Sequence, residues 1–119
     1  MDKGILIVDD AIFMRRIMTD SLSESGFTCL YEAGDGEEAI RVLKKEAPEI
    51  VLLDITMPGR SGLDVLGDIL DINPNACVIM CSAIGQEETI KKAVRRGAAD
   101  YIVKPFKKGQ LAKVVRKYI

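Results

Sequence analysis

The chain contains no histidine among its 119 residues. That absence removes imidazole as a general base, as a metal ligand and as a carrier of phosphate. Any phosphoryl group the protein carries must therefore sit on another residue type. Cysteine is scarce and odd in number, with three residues. Cys29, Cys77 and Cys81 show no paired metal-ligand spacing, so they predict neither a disulfide framework nor a zinc site. Cys77 and Cys81 are four apart in a β-like run, about 13 Å along one face, too far to bridge. All three read as buried thiols acting as small apolar residues. Long hydrophobic runs are missing too. No stretch approaches the roughly 20 apolar residues of a membrane helix. The run Ile5 to Val8, after Met-Asp-Lys-Gly, is too short for a signal-peptide core. A cytoplasmic location without membrane insertion is the expectation. There is also no internal repeat, low-complexity stretch or linker, and the length fits one domain spanning 1–119.

Acidic residues run out towards the carboxy terminus. Residues 91–119 hold ten Lys/Arg and a single acid, Asp100, whereas residues 1–90 hold seven Lys/Arg and seventeen Asp/Glu. The overall charge is only −1. A basic third can signal nucleic acid, but these cations fall on the polar faces of two amphipathic segments, where solvated charge is ordinary. No aromatic side chains interleave with them as a base-stacking platform requires. Direct nucleic-acid binding is not expected; a docking face for an acidic protein partner fits better.

What is present is an alternation of short apolar runs and helical stripes. Gly4 to Val8 is apolar and ends at Asp9-Asp10. Residues 12–25 follow with Phe13, Met14, Ile17, Met18 and Leu22 at helical spacing, ending at Gly26. Thr28 to Ala33 is β-rich. Glu37 to Glu46 is helical, with Ala39, Ile40 and Leu43 on one face and Pro48 beyond. Ile50 to Leu53 is continuously apolar and ends at Asp54. Residues 62–72 form a third helix with Leu63, Leu66, Ile69 and Leu70 inward. Cys77 to Cys81 is apolar again and ends at Ser82. Residues 86–96 form a fourth helix with Ile90, Ala93 and Val94 inward, stopped by Gly97. Tyr101 to Val103 is the last strand, ending at Lys104-Pro105, and Leu111, Val114, Val115 and Tyr118 mark a fifth helix. Strands apolar on both faces, alternating with helices, predict a parallel sheet covered on both sides. The fold class is α/β: a flavodoxin-like, doubly wound (βα)5 sandwich with a five-stranded parallel sheet in order 2-1-3-4-5.

In such a sheet the site lies outside the carboxyl ends of the strands, at the switch point between strands one and three. The polar residues stand there: Asp9 and Asp10 after strand one, Asp54 after strand three, Ser82 after strand four and Lys104 after strand five. Three converging carboxylates repel; at 4 Å each pair costs about 4 kcal/mol at an effective dielectric of 20. Lys104 offsets part of that. An all-oxygen acidic pocket is what Mg2+ prefers, and the cation lets an anionic phosphoryl group approach. Asp54 then reads as a carboxylate nucleophile that forms an acyl phosphate. Lys104 and the Ser82 hydroxyl serve as stabilisers of a loose transition state.

The motifs Ile7-Val8-Asp9-Asp10, Asp54-Ile55-Thr56-Met57-Pro58-Gly59, Cys81-Ser82-Ala83 and Lys104-Pro105-Phe106 resemble those of response-regulator receiver domains over residues 3–118, most closely the stand-alone chemotaxis type. Phe13-Met14-Arg15 after Ala11 points the same way. The resemblance implies a phosphoprotein of a two-component phosphorelay, not an enzyme, that takes its phosphoryl group from a sensor histidine kinase. It implies Asp10 as a direct metal ligand, Asp9 acting largely through water, Asp54 as a ligand and the Thr56 backbone carbonyl completing the set. It also implies a cis Lys104-Pro105 bond, and Ser82 and Tyr101 as a switch pair. Ser82 moves to the phosphoryl group, Tyr101 swings inward, and the face formed by helix four, strand five and helix five changes shape for a protein target. Complete switching needs about 5.5 kcal/mol of differential stabilisation, within reach of several charge-assisted hydrogen bonds. Lys91, Lys92, Arg95, Arg96, Lys107, Lys108, Lys113, Arg116 and Lys117 are expected to flank that face. A phosphatase partner, and a monomer that can dimerise on phosphorylation, are compatible with the resemblance. Thr56 and Ile84 occupy the positions that tune acyl-phosphate lifetime. Neither offers a carboxylate or amide to orient water, which predicts slow to moderate self-hydrolysis.

Three other readings compete. A haloacid-dehalogenase-like phosphatase places a second Asp two residues beyond its nucleophile, where this chain has Thr56. A flavodoxin has a hydroxyl- and glycine-rich phosphate loop after strand one, where Asp9-Asp10 would repel phosphate. A receiver cut from a longer regulator, such as a transcription factor, would look the same.

Overall fold

The structure, a computed structural model, describes residues 4–119; residues 1–3 of the expected 1–119 domain lie outside the described residues. Among the described residues ten elements alternate: β1 (Ile5–Val8), α1 (Ile12–Glu24), β2 (Leu30–Ala33), α2 (Gly36–Glu46), β3 (Ile50–Asp54), α3 (Gly62–Ile72), β4 (Cys77–Ala83), α4 (Glu87–Arg95), β5 (Asp100–Lys104) and α5 (Gln110–Arg116). The strands form one parallel sheet in the order β2-β1-β3-β4-β5; the apolar runs predict the parallel sheet, and its order is the doubly wound one expected for five strands. No helix among the described residues is long and apolar enough to cross a membrane.

Strand alternation divides the core in two. Leu6, Val8, Val51, Leu53, Val78 and Met80 pack under α2, α3 and α4. Ile5, Ile7, Ile50, Leu52, Ile79, Cys81 and Ile102 pack under α1 and α5. Helix ends are specified locally. Asp35 caps α2 by accepting from the Glu38 amide at 2.8 Å, and Ser61 caps α3 by accepting from Asp64 at 3.3 Å. In α2 and α4, acids open the helix and lysines or arginines close it, matching the helix dipole.

Some expectations need correction. Phe13 is 86% exposed and Ile17 is exposed, so of the α1 stripe only Met18 and Leu22 are fully buried. Val94 is exposed on α4 rather than inward, while Val65, absent from the expected α3 face, is buried. Helical spacing locates a stripe but does not fix where the neighbouring elements stop covering it. Tyr118 lies beyond the end of α5, yet its ring packs on the core and its hydroxyl donates to the Asp100 carboxylate at 2.8 Å. Cys81 is buried, but Cys29 and Cys77 are only half-buried. Arg116 turns away from the basic face: its guanidinium donates to the Ser25 carbonyl at 2.8 Å and lies 5.6 Å from the Phe27 ring centre.

Candidate functional site

The register of the sheet brings the chosen residues together. Val8 pairs with Leu53, and Asp54 with Cys81, so Asp9 and Asp54 emerge on adjacent strands at one edge. By alternation Asp9, Asp54 and Lys104 share the α1/α5 side, whereas Ser82 and Tyr101 share the α4 side. Lys104 donates to Asp9 Oδ2 at 2.7 Å and stands 3.5 Å from Asp54 Oδ1. Lys104–Pro105 is cis. The other Asp9 oxygen accepts from the Ala11 amide at 2.9 Å, and Arg15 donates to the Asp9 carbonyl at 2.6 Å. Asp54 Oδ1 accepts from the Thr56 amide at 3.2 Å. Asp9 is 1% exposed and Asp54 8%, while Asp10 is exposed.

A close backbone approach shapes the floor. The Gly62 amide donates to the Ile55 carbonyl at 2.8 Å, and a Cβ at Gly62 would clash with the Asp54 carbonyl oxygen. Only glycine lets α3 begin against the end of β3.

The electrostatics follow from burial. Burial raises the Asp54 carboxyl above its ordinary 3.8; the Lys104 ammonium opposes this, and the Asp9 charge adds to it. Burial disfavours the Lys104 ammonium, but its hydrogen bond to Asp9 and the charges of Asp54 and Asp9 outweigh that and raise its pKa. The lysine is therefore a fixed cation committed mainly to Asp9. This explains why it does not cancel the rise that burial gives Asp54. Beneath it, burial pushes the Cys81 thiol up to about 12, so that thiol is an inert apolar filler.

Carboxylate oxygens of Asp9, Asp10 and Asp54 lie within 4.8 Å of one another. One lysine cannot neutralise three carboxylates, and an all-oxygen donor set open on its Asp10 side suits a hard cation that keeps waters. The residues present thus fit Mg2+.

Ser82 is fully buried, and its hydroxyl has no hydrogen-bond partner among the described residues. A buried hydroxyl left unpaired is free to take a partner that another state supplies. Tyr101 is 46% exposed and lines a groove of about 580 Å3 with Ile84, Ile90, Val94 and Val103, edged by Lys91 and Arg95. Ile84 is exposed in this groove rather than in the acidic cluster. Thr56 is exposed beside Asp54. Sequence reasoning missed Gln86, whose amide group donates to the Thr56 hydroxyl at 2.7 Å while its carbonyl accepts from the Ala83 amide at 2.6 Å. It also missed Arg15 as a brace on the Asp9 carbonyl, and Gly62. For Gly62 the only sequence signal was a glycine at a helix start.

Comparison with known proteins agrees with this geometry. The profile of the response regulator receiver domain matches residues 5–116. The chemotaxis protein CheY of Thermotoga maritima is 43% identical over 117 residues, covering 98% of each chain. CheY of Bacillus subtilis is 42% identical over the same length and coverage. Among solved structures, the receiver domain of NtrX from Brucella abortus superposes with a TM-score of 0.91 at 37% identity, covering 96% of each chain.

Proposed function

The chain belongs to the response regulator receiver family of two-component systems, and on that premise we propose that Asp54 accepts a phosphoryl group from a sensor histidine kinase and that the α4–β5–α5 face then binds a protein target. The observation that carries this reading is the convergence of Asp9, Asp10, Asp54 and Lys104 from three strand ends. The fold alone, which many chemistries share, does not carry it.

The mechanism follows from the residues. The two protein contacts of Asp54, from the Thr56 amide and Lys104, both fall on Oδ1. They orient the carboxylate and leave Oδ2 free of protein hydrogen bonds among the described residues. That oxygen attacks phosphorus; an O–P bond forms as the donor's N–P bond breaks, and the departing imidazole takes up a proton. Asp10, Asp54 and the Thr56 backbone carbonyl would hold Mg2+, with Asp9 reaching it largely through water; the bound cation supplies charge neutralisation for the incoming phosphoryl oxygens. Lys104, held charged by Asp9, adds a second positive charge to the same oxygens. Ser82 donates its unpaired hydroxyl to the phosphoryl group, a bond its buried surroundings do not offer otherwise.

That bond draws the end of β4 towards Asp54 and clears space for Tyr101, now outward, to enter on the α4 side. The groove beside it is apolar at its base and edged by Lys91 and Arg95, which suits an acidic amphipathic segment. The names of the relatives favour chemotaxis as the pathway. With Thr56 and Ile84 at the tuning positions, the acyl phosphate decays slowly to moderately, and the protein acts as a switch rather than an enzyme, cytoplasmic like the kinase output it reads. The phosphatase and flavodoxin alternatives lose their footing with the family match.

Acetyl phosphate tests the chemistry. With Mg2+ the wild type labels stoichiometrically; without Mg2+, or in Asp54→Asn, labelling is lost. Labelling that survives the substitution would overturn the assignment.

A further inference from the structure

We propose that Gln86 is a positioning residue that latches the loop after β4 in its resting arrangement, opposing the movement that brings Ser82 to the phosphoryl group. The proposal rests on Asp54 being the phosphoacceptor. Gln86 stands just ahead of α4, yet its side chain does not cap that helix. Instead it joins two loops: Nε2 donates to the hydroxyl of Thr56, two residues after Asp54, and Oε1 accepts from the amide of Ala83, the residue after Ser82. The orientation of the amide is fixed, because the Ala83 N–H requires an acceptor. Gln86 also lines the groove that Tyr101 borders, so one side chain touches the loop beside the nucleophile, the backbone beside the switch hydroxyl and the docking groove.

The direction of the effect comes from Ser82. Its hydroxyl is buried and unpaired while the Gln86 bridge is complete. The bridge therefore belongs to the arrangement in which Ser82 has no partner. Moving Ser82 towards Asp54 drags the Ala83 amide, and a bridge fixed at Thr56 on its far end resists. Both bonds are on the surface, so water replaces them and their loss leaves the fold intact.

The test uses beryllofluoride as a phosphoryl mimic at saturating Mg2+, with bound probe read by fluorine NMR. Gln86→Met keeps the side-chain length and removes both bonds; Thr56→Val removes one end. Each is expected to lower the half-saturating beryllofluoride concentration about three- to tenfold, the worth of one neutral hydrogen bond. The double variant gains no more than the stronger single, because both act on one bridge. Generic damage to the site would weaken binding instead. Unchanged or weaker binding in Gln86→Met, or additive gains in the double variant, overturns the latch. Asp54→Asn run alongside separates the two readings: probe bound equally by that variant defeats the phosphoacceptor assignment, whereas probe lost there but unaffected by Gln86→Met defeats only the latch.

Discussion

The two sides of the sheet are finished differently at their carboxyl edge. On the α1/α5 side Asp9, Asp54 and Lys104 are tied by short contacts, braced by the Ala11 and Thr56 amides and by Arg15. On the α4 side a hydroxyl is buried without a partner, Tyr101 points out, and Ile84 and Val94 are exposed around a groove. The first arrangement has few alternatives and suits chemistry, where charges must be in place beforehand. The second has bonds still to make and space to fill, which is what a two-state element requires. On the proposed function, the fold separates a fixed reacting end from an adjustable responding end across a single layer of backbone.

Substitutions can sharpen or break that contrast. The largest effect is expected at the fixed end's floor. Gly62→Ala drives a methyl against the Asp54 carbonyl, and we expect a loss of about 3 kcal/mol or more in urea unfolding, with weakened phosphorylation. Leu52→Ala, in the fully buried layer beneath Asp54, is expected to cost about 2–5 kcal/mol. On the responding side, Ser82→Ala should leave stability within about 1 kcal/mol of wild type, since the hydroxyl makes no bond in the resting state. The same variant should still label with acetyl phosphate while losing most of the Tyr101 movement seen by NMR. A large loss of stability there would show that Ser82 is already engaged, and the contrast would fail.

The pH dependence carries a sign. In folded metal-free protein the Asp54 carboxyl is raised above 3.8, chiefly by burial, so the fold favours its protonated form. That contribution is present below the ordinary carboxyl value and is lost as pH rises through the higher folded value. Asp54→Asn, which cannot ionise, should unfold at higher urea than wild type at neutral pH in a chelator, and the gap should narrow in acid. An equal or lower midpoint would mean that Asp54 is not strained by its surroundings. The smallest expected effect is at Cys81. With its thiol pushed up to about 12, it should be the last of the three cysteines to react with a thiol reagent near pH 8 in native protein.

The sequence disclosed the fixed end more fully than the responding end, for a physical reason. Asp9, Asp54 and Lys104 are legible because a charged residue at the end of a buried apolar run has few explanations, and sheet topology dictates where strand ends meet. The five strands followed from the apolar runs and the five helices from the stripes between them, while the strand order rested on the usual topology of a doubly wound sheet. Helix faces were less legible: Val94, Ile17 and Phe13 carry the right spacing but lie where no neighbour covers them. Gln86 could not be read at all, since its bridge depends on the loop after β3 meeting the loop after β4 across a sequence gap of thirty residues. Gly62 was legible only as a helix start; the Asp54 carbonyl that excludes a side chain there comes from tertiary approach.

The most direct trial of the central claim is chemical mapping of the acyl phosphate. Protein treated with acetyl phosphate and Mg2+ is reduced with borohydride, which converts a phosphorylated aspartate to homoserine, and its peptides are sequenced by mass. The account predicts homoserine at position 54 alone, and none when Mg2+ is withheld. Homoserine at position 9 or 10, or modification independent of Mg2+, would contradict it.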